Sequence, residues 1–130
     1  MFDWRRPANL GVHSGRLAPC RRTPNCVSSQ ADPADAEHYI APIVFRGRDA
    51  IAAVRKALDA MPRTRVISSD SHYLYAEFRS RLLRYVDDVE FHFDGKETIH
   101  VRSASRLGRR DFGVNRRRVE QIRELVTKQP

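Results

Sequence analysis

Apolar and polar residues alternate along this chain with two different periods. Between residues 48 and 61, large apolar side chains recur at spacings of three and four residues: Ile51, Val54, Leu58 and Met61. The same spacing recurs near the C-terminus, at Val119, Ile122, Leu125 and Val126. Such a spacing places the side chains on one side of a helix. It predicts helices from about Arg48 to Met61, where Pro62 ends the pattern, and from about Asn115 to Lys128, with Asn115 as N-cap.

Four segments between the two helices are predicted to be strands. Three of them alternate with a period of two, which is typical of strands with one buried face, and the first is short with β-branched residues in its middle. The four segments cover residues 65–68, 72–80, 86–93 and 98–103. Asp94, Gly95 and Lys96 predict a hairpin loop between the last two strands. A loop of these three residues sets Phe91 opposite Ile99 and keeps the apolar side chains of both strands on one face.

The order helix, four strands, helix predicts an α+β fold. Because both helices are amphipathic, both need the apolar face of the same sheet. We therefore expect a two-layer sandwich, with a four-stranded antiparallel sheet and two helices on one face. Residues 1–46 show no sustained period and form an irregular N-terminal segment. The length fits a single domain, which we place at residues 10–128 after a tail of residues 1–9.

The second face of the predicted sheet is polar. A face of an antiparallel sheet that lies in water is polar by default, so we expect this one to be solvated. In the predicted register Asp88 lies opposite Arg102 and pairs with it. The face carries two tyrosines, two histidines and five charged residues: Tyr73, Tyr75, Glu77, Arg79, Asp88, Glu90, His92, His100 and Arg102.

The chain is strongly basic, with a net charge of +8 and with Arg at 21 of its 24 basic positions. Guanidinium groups suit carboxylates and phosphates, so anionic partners are favoured. Nucleic acid is one of these, with Tyr73 and Tyr75 as stacking groups, although the acidic residues on the same face count against it. No apolar run is long enough to span a membrane, and no signal-peptide pattern is present. These features predict a cytoplasmic protein.

The most unusual segment runs from Arg102 to Arg118 and holds seven arginines, two serines and two glycines. Three of these arginines lie at the predicted start of the second helix, where the helix dipole disfavours cations. A broken local rule of this kind often marks a site. We therefore predict that the segment binds a small anionic ligand or an acidic partner, through Arg102, Ser103, Ser105, Arg106, Asp111, Asn115, Arg116 and Arg117. Alternatively, Arg116 or Arg117 neutralises Asp87, which lies on the helix side of its strand.

Cys20 and Cys26 are separated by five residues. Two cysteines cannot complete a zinc site, and with His38 as a third ligand no fourth is evident, so we expect no metal and no other cofactor. The two cysteines are then either a free buried pair or a disulfide, and a reducing cytoplasm disfavours the disulfide.

Three sequence motifs resemble those of the domain of unknown function 1499 family, over about Leu10 to Val126. They are Leu10–Val12 with Gly15–Cys20 and Thr23–Ser29, then Tyr85–Phe91, and finally Arg102–Gly108 with Asp111–Arg118. Thr23 and Arg110 depart from the usual pattern. The resemblance implies no known activity. It does imply that Asn25, Asp87, Asp88 and the loop from Arg102 to Arg117 form one site, and that the N-terminal segment is packed.

Two further functions stay open at this point. The chain could be an enzyme, perhaps hydrolytic, with Asp87, Asp88 or Cys26 in the chemistry, if these groups have perturbed pKa values in a cleft. It could also serve assembly, since an exposed sheet edge can pair two chains. The sequence does not indicate the oligomeric state.

Overall fold

The structure, a computed structural model, describes residues 5–81, 85–108 and 110–129. This part of the chain contains six strands and two helices. In chain order these are β1 (Cys26–Ser28), β2 (Ile43–Val44), α1 (Ala50–Asp59), β3 (Thr64–Ser69), β4 (Tyr73–Arg79), β5 (Val86–Phe93), β6 (Thr98–Ser105) and α2 (Val114–Thr127). The class is α+β, as predicted.

Both predicted helices are present, with slightly different bounds. Helix α1 is capped by Asp49, whose side chain accepts a hydrogen bond from the amide of Ala52. Helix α2 begins one residue earlier than predicted, after Gly113 in the left-handed conformation at φ 81°. The prediction of Asn115 as N-cap is therefore wrong. Asp111 instead accepts the amide hydrogens of Gly113 and Asn115, because these groups have no partner within the first turn.

The antiparallel sheet has six strands, which corrects the predicted four. Its order is β1-β6-β5-β4-β3, and β2 also pairs with β6. The two additional strands lie in the segment predicted to be irregular, so the element order also changes. They contain three and two residues, too few to show a period, and they form because β6 offers them a backbone edge.

The predicted register of the β5–β6 hairpin is wrong by two residues. Phe91 lies opposite Val101, not Ile99, and Phe93 lies opposite Ile99. Asp94 causes the shift, since its side chain accepts hydrogen bonds from the amides of Lys96 and Thr98 and moves the loop one residue along. A shift of two keeps every side chain on its predicted face.

The hydrophobic core lies between one face of the sheet and both helices. The sheet contributes fully buried apolar side chains from its central strands, and α1 and α2 contribute their predicted stripes. Side chains with no or almost no exposed surface include Val54, Leu58, Leu74, Val89, Phe91, Ile99, Val101, Val119 and Ile122.

The N-terminal segment covers the second face of the sheet, so the prediction of a solvated face is wrong. Leu17 is buried, and the amide of Gly11 donates to the carboxylate of Glu90. Arg6, in the predicted tail, donates to Glu77. Tyr75, Glu77, Asp88, Glu90 and Arg102 on this face are consequently all buried.

Neither helix in the described part of the chain has the length and apolar character needed to cross a membrane.

Candidate functional site

A buried ion-pair cluster occupies the covered face of the sheet. Arg106 lies at its centre: Nη2 is 2.6 Å from Asp88 Oδ1 and 3.1 Å from Glu77 Oε2. The Nε of Arg106 also donates to Asp88 Oδ2 at 3.1 Å. The predicted pairing of Asp88 with Arg102 is thus replaced by Asp88 with Arg106, because the register places Ala104, not Arg102, opposite Asp88.

Two tyrosine hydroxyls complete the hydrogen bonding of these carboxylates. Tyr75 donates to Asp88, and Tyr73 donates to Glu90 at 2.6 Å. Burial and the neighbouring carboxylates raise the pKa of both hydroxyls far above the ordinary value, so both stay protonated. Tyr75 is buried, so its ring offers no open surface on which a base could stack.

Arg102 is the least satisfied member of this layer. Its Nη1 is 4.0 Å from Glu90 Oε1, and its Nη2 donates to the carbonyl of Pro19 at 3.3 Å. Among the described residues, neither its buried Nε nor Glu90 Oε1 has a hydrogen-bond partner. Burial lowers the pKa of the guanidinium, and the attraction of Glu90 and Asp88 opposes that effect.

A second network, largely uncharged, fixes the loop between β6 and α2. Asn115 is fully buried and accepts a hydrogen bond from Ser103 Oγ at 2.6 Å. Its Nδ2 donates to Asp111 Oδ2 at 2.7 Å, to Ser105 Oγ at 2.9 Å and to the carbonyl of Asn25 at 3.2 Å. Both polar atoms of the Asn115 amide therefore have hydrogen-bond partners within the protein, and these bonds fix the loop between β6 and α2.

The side chain of Asn25 ties the N-terminal segment to the same loop. Its Nδ2 donates to the carbonyl of Gly108 at 2.7 Å, and its Oδ1 accepts from Thr23 Oγ1 at 2.8 Å. Asn25 thus lies beside Ser105, Asn115 and Asp111 in space, although about 80 or more residues separate it from them along the chain.

Asp87 pairs with Arg118 on the helix side of the sheet, at 2.8 Å. The predicted alternative that Arg116 or Arg117 neutralises Asp87 is therefore wrong. The arginine that pairs with this carboxylate is the next one along the helix, Arg118. Burial raises the pKa of Asp87 above its ordinary value, and the attraction of Arg118 offsets this only in part. The guanidinium of Arg118 also lies over the ring of Phe78, 4.6 Å from its centroid.

Arg116 and Arg117 lie apart from Arg102 and Arg106. Arg116 is half-buried and donates to the carbonyls of Ala36 at 3.2 Å and Glu37 at 3.4 Å. Arg117 is exposed and donates to the carbonyl of Phe112 at 2.8 Å. The candidate residues therefore divide between the buried layer and the surface at the start of α2.

A surface cleft of about 350 Å³ lies at the start of α2. Phe112 is 85% exposed beside it and has a φ of 54°, in the left-handed region that a bulky residue rarely adopts. Sequence reasoning missed Phe112 and Arg110 as candidates, and the only signal was an aromatic residue between Asp111 and Gly113. The cleft is lined by Pro24, Val27, Ala36, Glu37, Arg110, Asp111, Phe112, Gly113 and Arg116.

Cys20 and Cys26 are joined by a disulfide, so of the alternatives from the sequence the free pair is wrong. The two ring nitrogens of His38 have other partners: they are 2.8 Å from Asp35 Oδ2 and 2.9 Å from the carbonyl of Thr23. Burial would lower the pKa of His38, but these two hydrogen bonds raise it above the ordinary value. Asp35, Glu37 and His38 lie close enough to share a metal ion, but both nitrogens of His38 already have protein partners.

In a comparison with protein families, the family described as "Protein of unknown function (DUF1499)" matches residues 16–126. Neither the curated proteins nor the solved structures contain a match to this chain.

Proposed function

We propose, for a chain that belongs to the domain of unknown function 1499 family, that it is a binding module for an anionic group attached to an apolar one. The proposed site is the cleft at the start of α2, with Phe112 as the apolar contact and Arg110 and Arg116 as the cationic contacts. Of the anion site predicted from the sequence, this proposal keeps Asp111 and Arg116, and it adds Arg110 and Phe112.

The conformation of Phe112 carries the proposal. A left-handed backbone at a bulky residue costs on the order of 1–2 kcal/mol. Because the ring of Phe112 is exposed, hydrophobic burial offsets little of this cost. The hydrogen bonds of Asp111 and Asn115 hold the loop in this shape. Strain that the surrounding structure maintains at an exposed aromatic residue is typical of a ligand contact.

The lining of the cleft supports an anionic ligand with an apolar part. Pro24, Val27 and Ala36 contribute apolar surface, and Arg110 and Arg116 line the same cleft. Glu37 and Asp111 also line the cleft, but Asp111 adds little repulsion, because its carboxylate already accepts hydrogen bonds from Gly113 and Asn115. The volume of about 350 Å³ is at the lower end of the range for small-molecule sites.

The other functions suggested by the sequence have less support. Asp87 and Asp88 each face a guanidinium group, and Cys26 is bonded to Cys20, so none of the three is a free nucleophile or base. Tyr75 is buried and Tyr73 is half-buried, which counts against the two rings as a stacking surface for nucleic acid. A cytoplasmic location also stays a prediction, and the disulfide counts against it.

The test compares three probes by thermal unfolding: phenyl phosphate, inorganic phosphate and phenol. Binding to the native state alone raises the melting temperature in proportion to RT ln(1 + [L]/Kd). We expect phenyl phosphate to raise the melting temperature more than the other two probes together, because only that probe has both a ring for Phe112 and a phosphate for the two arginines.

Matched variants locate the site. Arg116→Gln should reduce the shift from phenyl phosphate, and Phe112→Asn should reduce it to that of inorganic phosphate. Arg55→Gln, on the exposed side of α1, is the control and should leave the shift unchanged. Equal shifts for all three probes, or a shift that survives both cleft variants, would refute the proposal.

A further inference from the structure

The two bonded cysteines have different surroundings. Cys20 is half-buried and lines a surface cleft of about 420 Å³. Cys26 is buried in β1, where its backbone pairs with Ala104 of β6. Exchange of a disulfide with an outside thiol requires that a thiolate reach one sulfur and that the other leave as a thiolate. The difference in burial assigns attack to Cys20 and departure to Cys26.

The cleft beside Cys20 is cationic. Arg16, Arg21 and Arg22 line it and are all exposed, so their charges act on an incoming molecule. Asp32 and Asp35 also line it, but Asp35 already pairs with His38. Three guanidinium groups against two carboxylates favour an anionic thiol over a neutral or cationic one.

Arg102 is placed to stabilise the departing sulfur. Cys26 pairs with Ala104 and Ser28 with Arg102, so the side chains of Cys26 and Arg102 lie on the same sheet face as diagonal neighbours. A diagonal distance of about 7–8 Å between backbones is within reach of a long side chain. Cys26, Arg102 and Arg21 also line one small cavity of about 40 Å³.

The bonding of Arg102 supports this placement. Its Nη2 donates to the carbonyl of Pro19, the residue directly before Cys20. Its Nε is buried and has no hydrogen-bond partner in the part of the chain that the structure describes. Arg102 therefore reaches the backbone next to Cys20 and lines a cavity with Cys26, so its positive charge would favour a thiolate at Cys26.

We propose that Cys20 and Cys26 form a thiol–disulfide exchange centre whose outside reactant is a small anionic thiol. The thiolate of that thiol attacks Sγ of Cys20, the bond between Cys20 and Cys26 breaks, and its electron pair passes to Sγ of Cys26. A mixed disulfide at Cys20 and a thiolate at Cys26 result. A second anionic thiolate then attacks the sulfur of the first thiol. Two thiols are thereby oxidised to one disulfide, and the protein is reduced by two electrons.

The test exposes the native, oxidised protein to three thiols at equal thiolate concentration and without denaturant. Glutathione is the anionic probe, 2-mercaptoethanol the neutral one and cysteamine the cationic one. Acid quenching, alkylation and peptide mass mapping locate the mixed disulfide. We expect it at Cys20, formed fastest with glutathione, by roughly fivefold over 2-mercaptoethanol at low salt, and with a ratio that falls as salt is added.

Three variants separate the roles of the arginines. Arg21→Gln with Arg22→Gln changes exposed side chains and should abolish the preference for glutathione. Arg102→Gln should slow reduction by all three thiols, whereas Arg102→Lys, which keeps the charge, should restore part of the rate. Circular dichroism checks that each variant is folded.

Three results would overturn the proposal. They are a disulfide that the thiols reduce only in denaturant, a mixed disulfide found at Cys26, and equal rates for all three thiols in the unaltered protein. Each can be observed without any variant, and none depends on whether the cleft at Phe112 binds phenyl phosphate.

Discussion

The two faces of the central sheet are both buried, yet they are built from opposite kinds of side chain. The face toward the helices carries apolar side chains of the hydrophobic core, among them Leu74, Val89 and Phe91. Toward the N-terminal segment, Glu77, Asp88 and Arg106 are held by ion pairs. An apolar face tolerates any neighbour that fills its volume, whereas a buried charged face requires its particular partners. The covered face therefore fixes where the N-terminal segment lies, and the helix face supplies most of the hydrophobic stabilisation.

The largest expected effect comes from breaking the ion-pair cluster. Arg106→Gln leaves Asp88 and Glu77 buried without their shared cation, so we expect the free energy of unfolding to fall by about 3–5 kcal/mol. Urea denaturation followed by circular dichroism measures this. Arg79→Gln is the matched control, because Arg79 also contacts Glu77 but is about half exposed, and it should cost under ~1 kcal/mol. A loss of equal size in both variants would show that burial of the pair does not matter.

A truncation on the helix face should cost nearly as much for a different reason. Leu74→Ala leaves a cavity in the fully buried core, which typically costs about 2–5 kcal/mol. Unlike the loss in Arg106→Gln, this loss should be the same at all pH values at which the protein folds, since no charge is involved. The same urea titration at several pH values checks this, and a loss that varies with pH would contradict the division between the two faces.

Glu77 sharpens the comparison through pH. Burial alone would raise the pKa of Glu77, but hydrogen bonds from Arg6, Arg106 and Tyr75 hold it below the ordinary value of 4.5. A carboxyl with a lowered folded-state pKa stabilises the protein above its unfolded-state pKa, and that contribution is lost as pH falls through the folded-state pKa. We expect Glu77→Gln to be destabilised by about 1–3 kcal/mol at pH 7 and to approach the unaltered protein well below pH 4.5. Parallel stability curves for the two proteins would refute this.

The smallest change in the free energy of unfolding is expected for Phe112→Asn, and any change should be an increase. Asn adopts the left-handed conformation more readily than Phe, so Phe112→Asn should leave the free energy of unfolding unchanged or raise it by up to ~1 kcal/mol. The same variant should lose binding of phenyl phosphate. Urea denaturation and the thermal shift measured on one preparation test both halves. Destabilisation by more than about 1 kcal/mol would mean that the ring packs in the fold and is not kept for a ligand.

The sequence predicted the parts of the fold that repeat over many residues. Both helices and strands β4, β5 and β6 show their period over enough residues to be recognised, and the faces of β5 and β6 follow from alternation alone. Strands β1 and β2 are too short for any period. The burial of the polar face was missed for a related reason: alternation separates the two faces, but it cannot show that an irregular segment covers one of them.

The candidate site was predicted less well because small offsets matter there. Helix α2 starts at Val114, one residue before the prediction, and each residue turns a helix by about 100°. Of the three consecutive arginines, Arg118 meets Asp87, and the sequence pattern does not determine which of them faces the sheet. Because the β5–β6 register is shifted by two residues, Asp88 forms its ion pair with Arg106 and not with Arg102. Phe112 belongs to no period, so only its backbone conformation and its exposure reveal it.

The most direct test of the proposed binding function is a titration of the ¹⁵N-labelled protein with phenyl phosphate, followed by amide chemical shifts. The account predicts saturable shifts confined to the cleft, at residues 36–37 and 110–116, and none of comparable size at Glu77, Asp88 or Glu90 on the covered face. Shifts that are absent, that do not saturate, or that centre on the covered face would contradict it.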